Sequence, residues 1–286
     1  MNLTKLCVLG IGLALASCSK THVYENNTPP ADNSISELEI STYINRVYIS
    51  LLGRKADAEE FSDAKELMGN QPGLAEREQL LDQLLQLPEY KSNYVLRWRQ
   101  DLIEGIDSIQ ASKDMALYTF QLQDSAMNPL IRSELQNRVV RLQNLVMVNQ
   151  DYLNGVIDWK GVIRRFIDNH YYDEINMGTE NFVVSLFQHF LDRYPSAQEL
   201  EDAKRMVDGF SGILFLQTGN SKAQCLDILF SSEAFMEGQI HRLYQNYIYR
   251  KATQDEVLYQ LDLYQQTQLI QSIQRSILTS ESYFKQ

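Results

Sequence analysis

Three times along the chain an arginine is followed three residues later by a helix-capping side chain and six residues later by a glutamate: Arg54, Asp57 and Glu60; Arg193, Ser196 and Glu199; Arg250, Thr253 and Glu256. The cap-to-glutamate spacing is that of a capping box, in which the cap oxygen accepts from an amide of the first helical turn and the glutamate accepts from the cap's own amide. Upstream, an aromatic residue stands six positions before each arginine (Tyr48, Phe187, Tyr244) and an aliphatic residue two before it (Leu52, Leu191, Ile248). Four residues apart, the two lie on one face of a helix, and that face is expected in the core. Each copy therefore reads helix, short turn, helix. A helix-end arginine and a first-turn glutamate suit opposite helix poles and can pair across the turn, so all nine residues are read as structural turn and capping residues.

Each copy also closes alike, on an aliphatic helix end, a polar break and an acidic-aromatic pair: Leu87-Pro88-Glu89-Tyr90, Ser231-Ser232-Glu233-Ala234-Phe235 and Thr279-Ser280-Glu281-Ser282-Tyr283. In the last two, the break is itself a helix-start signal. The expected fold is all-α: three imperfect helix-turn-helix units over 37–95, 181–238 and 239–286, with an inserted helical segment over 96–180, packed as one bundle-like domain. Helix pairs of this size bury too little alone, so adjacent units should share one core.

The pattern of Leu51-Leu52-Gly53-Arg54, turn, cap, glutamate and terminal acidic-aromatic pair resembles helical repeats of bacterial secreted and surface-layer-like proteins. It is similar, too, to domains attached to cytochrome c modules in bacterial envelope proteins and, distantly, to the phycobilisome linker domain. This resemblance implies a helical fold and an envelope setting, and carries no activity that could be assigned residue by residue. The second and third copies depart from it by placing Asp192 and Tyr249 where the first has Gly53.

The inserted segment holds both tryptophans, Trp98 and Trp159. Val139, Leu142, Val146 and Leu153 fall closer to helical than to alternating spacing, with a strand over 139–148 as the competing reading. Ile213 to Leu216 is too short to classify. His170-Tyr171-Tyr172-Asp173-Glu174 is the one dense polar-aromatic cluster; it could contribute to a metal or carbohydrate site, but a loop joining helices is the plainer reading.

At the N-terminus, Lys5 precedes an apolar run from Leu6 to Ala16, the order of a secretory signal peptide and too short to span a bilayer. Its end, Leu15-Ala16-Ser17-Cys18, resembles the lipobox of bacterial lipoproteins. That resemblance implies a signal peptide over 1–17 and acylation at Cys18; two or three acyl chains there would anchor firmly. Ser19, rather than aspartate, follows the cysteine, which favours the outer membrane, with the protein either periplasmic or surface-exposed. Residues 18–36, polar around Asn26-Asn27-Thr28-Pro29-Pro30, read as a flexible tether.

At 44% hydrophobic and 22% charged, the 286 residues have an ordinary globular composition. Asp and Glu number 37 against 26 Lys and Arg, a formal charge of −11 that argues against a nucleic-acid partner. Loss of residues 1–17 removes only Lys5 and leaves the chain near −12. With Cys18 acylated, Cys225 has no disulfide partner and is expected to be a small buried hydrophobe. His22, His170, His189 and His241 form no helical zinc pair, and no nucleophile elbow, phosphate-cradling loop or haem motif is present. Neither metal, cofactor nor catalytic residue is therefore expected. The sequence points to a lipid-anchored, non-catalytic scaffold or binding subunit with a protein partner in the envelope. The alternatives are an envelope glycan hydrolase using paired carboxylates and an accessory to an electron-transfer protein.

Overall fold

In the computed structural model, which describes residues 35–286, Ser36 accepts from the amide of Glu39 while Glu39 accepts from the amide of Ser36, and this capping box starts α1 (Glu37–Leu52). The expected signal peptide, the acylated Cys18, most of the tether and His22 lie outside the described residues. α1 buries Tyr43, Ile44, Val47, Tyr48, Leu51 and Leu52 and stops at Gly53, whose φ of 78° is the left-handed conformation that ends a helix. Asp57 caps α2 (Ala58–Met68), α3 (Leu74–Gln86) follows, and Pro88 sits in the first turn of α4 (Pro88–Ile103), where its missing amide costs nothing.

The inserted segment is helical. α5 (Ser108–Gln121) and α6 (Pro129–Val146) form an antiparallel pair, then come α7 (Val148–Leu153), α8 (Trp159–Ile167) and α9 (His170–Ile175). Positions 139–146 lie inside α6, so the strand alternative does not occur. The His170 cluster is a short helix rather than the expected loop: Asn169 caps it, and Tyr171 and Tyr172 are buried core residues.

The second copy runs through α10 (Thr179–Leu191), α11 (Ala197–Val207), a two-stranded hairpin, α12 (Lys222–Ser231) and α13 (Glu233–Ile248). α13 closes the second copy and also opens the third, so no break falls at 238/239. α14 (Gln254–Thr267), α15 (Ile270–Leu278) and α16 (Glu281–Phe284) complete the chain. The hairpin pairs β1 (Gly212–Leu214) with β2 (Gln217–Gly219) across Phe215 and Leu216, both at positive φ (48° and 64°). A tight turn of that kind normally carries Asn or Gly, and their absence hides it in the sequence.

All three helices that precede the repeated arginines end in the same left-handed residue: Gly53, Asp192 at φ 52° and Tyr249 at φ 58°. The backbone of the motif thus persists where its glycine is lost. Asp tolerates this conformation; Tyr adopts it at a steric cost of about 1–2 kcal/mol.

The copies share one core, and the first packs on the last. Tyr43 Oη donates to the Leu278 carbonyl at 3.1 Å, Arg46 donates to the Tyr283 carbonyl at 2.9 Å, and the Tyr43 and Phe284 ring centroids are 4.9 Å apart. α10 packs on α13, the helix that the second and third copies share. Gly238 makes this approach possible: a Cβ there would stand 2.1 Å from the Phe190 carbonyl oxygen. α5 and α6 differ from the rest, packing mainly on each other, with Ala111, Leu142 and Leu145 as their buried residues.

Candidate functional site

The repeated turns have one geometry. Arg193 donates two parallel bonds to Glu199, at 2.8 and 2.6 Å, and a third to the Tyr194 carbonyl; Arg250 repeats this on Glu256, at 2.7 and 2.7 Å, and on the Lys251 carbonyl. Arg54 does so on Glu60, at 2.6 and 2.8 Å, and on the Lys55 carbonyl, and additionally binds Glu89 of the closing Pro-Glu-Tyr. In every copy one glutamate oxygen also accepts from the cap amide, that of Asp57, Ser196 or Thr253. The aromatic residue six positions upstream lies under the guanidinium in two copies, Phe187 under Arg193 and Tyr244 under Arg250.

Each glutamate therefore has its carboxylate oxygens occupied by the fold itself. Hydrogen bonds from Arg193 hold the Glu199 carboxyl at about 2, and those from Arg250 do the same for Glu256, burial acting the other way in both; Arg54 lowers Glu60 likewise. With arginine and cap amide both held by the glutamate, the turns fix the angle between consecutive helices rather than present a free carboxylate.

A different set of residues forms a cleft of about 680 Å³ between α4, α10, α13 and α15. Helical spacing puts Tyr94, Arg97, Trp98 and Asp101 of α4 on its wall, at intervals of three and four residues. Opposite, Arg242 of α13 lies over the Trp98 ring, 4.2 Å from its centroid, and pairs with Asp101. His189 of α10 reaches the cleft with Nδ1 held 3.0 Å from the buried Tyr172 hydroxyl. Burial, reinforced by the charge of Arg242 and opposed by Asp101, lowers its pKa, so the imidazole is neutral at pH 7.

The floor is a hydrogen-bonded trio. The Gln274 carboxamide accepts from Tyr90 Oη at 2.6 Å and donates to Tyr247 Oη at 2.8 Å. Arg97 makes a single hydrogen bond within the described residues, to the Ile49 carbonyl at 2.7 Å, and no ion pair. One carboxylate, Asp101, lines the cleft, and it is already paired. The arrangement offers hydrogen-bond donors and one uncompensated positive charge; it can bind and orient. Among the described residues no group of three His, Cys, Asp or Glu side chains is placed to hold a metal ion.

None of the nine turn residues borders this cleft, and sequence reasoning did not assemble it. Trp98 stood out only as a tryptophan and His189 only as an isolated histidine. The one usable signal was the Tyr94-Arg97-Trp98-Asp101 spacing, which places two rings and two charges on one helical face. Cys225 is 1% exposed, and burial pushes its thiol up to about 11, as befits a buried hydrophobe.

No known protein family, curated protein or solved structure matches this chain. Among the described residues, no helix is long and apolar enough to cross a membrane.

Proposed function

We propose that this protein is a lipid-anchored component of the bacterial cell envelope, held to the outer membrane through Cys18 and acting as a non-catalytic scaffold or binding subunit for another protein. The anchor is supported by the charge, apolar run and Leu15-Ala16-Ser17-Cys18 ending of the N-terminus. The observation that carries the binding role is the α5–α6 hairpin. Its far end presents Leu117, Phe120, Leu130 and Ile131, respectively 52%, 69%, 81% and 57% exposed. Large apolar side chains grouped on one exposed end are costly in water and are commonly covered by a partner. From Leu117 to Ile131 the chain carries a single charge, Asp124, whereas 22% of the whole chain is charged. Nucleic acid is a poor partner for a chain of this acidity.

A glycan hydrolase needs two carboxyl groups facing a substrate bond. Among the described residues the cleft supplies Asp101 alone, bound to Arg242, so binding is the better-supported role.

The test is photo-crosslinking in intact cells from residue 120 and, separately, from residue 198 on another surface. A stoichiometric protein adduct formed from 120 and absent from 198 supports the reading; uncrosslinked protein from both sites overturns the binding role. The anchor is tested by Cys18→Ser, which should move the protein from the membrane to the soluble fraction. Continued sedimentation with membranes would remove the anchor from the proposal.

A further inference from the structure

The cleft is polar in a particular way. In a chain with eleven more acidic than basic residues, Arg97 stands in it without an ion pair, and four of its five N–H groups have no partner among the described residues. Arg242 spends one N–H on Asp101 and is braced by the Trp98 ring, which fixes its plane. The two guanidiniums and Asp101 leave one net positive charge beside a neutral His189.

Around that charge stand the side-chain amides of Gln239, Gln245, Asn246 and Gln274, beside the apolar surfaces of Trp98, Leu243 and Ile270. Gln245 keeps its carbonyl oxygen free while its nitrogen holds Asp192 at 3.3 Å, and Asn246, exposed, makes no hydrogen bond within the described residues. An apolar ligand would strand these donors and acceptors, whereas a hydroxyl-rich ligand would satisfy them. A planar guanidinium with free N–H groups matches a carboxylate by two parallel bonds.

We infer that the cleft binds a small acidic saccharide, a sugar carrying a carboxylate, with Arg97 engaging the carboxylate and Asn246 and Gln245 engaging ring hydroxyls. The cleft volume of about 680 Å³ accommodates one to a few sugar rings. This inference does not rest on the scaffold reading: the cleft belongs to α4, α10, α13 and α15, whereas that reading rests on the end of the α5–α6 hairpin.

The experiment is calorimetric titration of the intact protein in detergent with glucuronate, galacturonate and N-acetylneuraminate, beside glucose, galactose and acetate. The expected result is saturable binding of at least one acidic sugar, with its neutral counterpart and acetate each weaker by about ten-fold or more. Arg97→Gln should remove that preference and Arg97→Lys should retain part of it, both with thermal midpoints near that of the parent. Asn246→Ala, at an exposed position whose side chain makes no hydrogen bond among the described residues, should weaken the sugar without changing acetate. Absence of binding by all three acids overturns the inference. So does equal binding of a neutral sugar, acetate as tight as the acidic sugars, or an affinity unchanged by Arg97→Gln. Failure here would leave the crosslinking result untouched.

Discussion

Tyr90 and Gln274 are joined by a 2.6 Å hydrogen bond across the interior, although 184 residues separate them in the chain. Tyr90 is the aromatic that closes the first copy; Gln274 lies in α15 of the third. Because the carboxamide also reaches Tyr247, one side chain satisfies two phenolic hydroxyls brought in by different copies. Replacing Gln274 by Leu keeps the volume and strands the fully buried Tyr90 hydroxyl. A loss of about 1–3 kcal/mol in unfolding free energy is expected, read from urea denaturation, and Gln274→Glu should not restore it at neutral pH.

Acid should loosen the turns before it affects the core. Glu199 and Glu256 titrate at about 2 in the folded protein, because Arg193 and Arg250 hold their charged forms, against an ordinary glutamate near 4.3 when unfolded. A depressed folded pKa gives stability that is present above the unfolded value and lost as pH falls toward the folded one. The urea midpoint should therefore hold between pH 7 and 5 and drop between about 4.5 and 2. In Glu199→Gln the midpoint should start lower and fall less steeply, and parallel curves for the two proteins would contradict this account.

Tyr249 occupies a left-handed position with its side chain 82% exposed. Glycine there removes the steric cost at little loss of packing, while adding some freedom to the unfolded chain. Tyr249→Gly should raise stability by about 0.5–1 kcal/mol, seen as a higher thermal midpoint. The same change at Asp192 should gain less, since Asp192 is held by Lys251 at 2.6 Å and by Gln245.

Gly238 answers to the opposite constraint. It lies within α13, where alanine would ordinarily favour the helix, yet its missing side chain admits the backbone of α10 at Phe190 and Leu191. Gly238→Ala should lower stability by about 1–3 kcal/mol, the range for overpacking, and calorimetric unfolding would measure it. A neutral or stabilising effect would mean that α10 and α13 are farther apart than described.

The turns were legible because the interactions common to all three are local: arginine, cap and glutamate follow one another at intervals of three residues, and that spacing states their hydrogen bonds, whereas the added bonds from Arg54 to Glu89 could not be read from it. The helical character of the inserted segment was legible for the same reason. What the sequence concealed was of two kinds. Tyr249, Phe215 and Leu216 take left-handed conformations that their side chains disfavour, so surrounding packing overrides the local signal at each. The cleft was hidden because its residues converge from positions 94 to 274, and nothing in a linear spacing tells Arg97 that Arg242 will stand across from it.

The packing of the first copy on the last has a consequence for the order in which the protein is made. Tyr43 finds its acceptor on Leu278, 235 residues downstream, and Arg46 finds its own on Tyr283. A chain that emerges N-terminus first can pack α1 on α2, α3 and α4 early, but the part of its face around Tyr43 and Arg46 is completed only when residues 278–284 have followed. Until then the Tyr43 hydroxyl lacks its acceptor and the Tyr43 ring lacks Phe284, so the seam between the first and last copies is the part of the core that closes last.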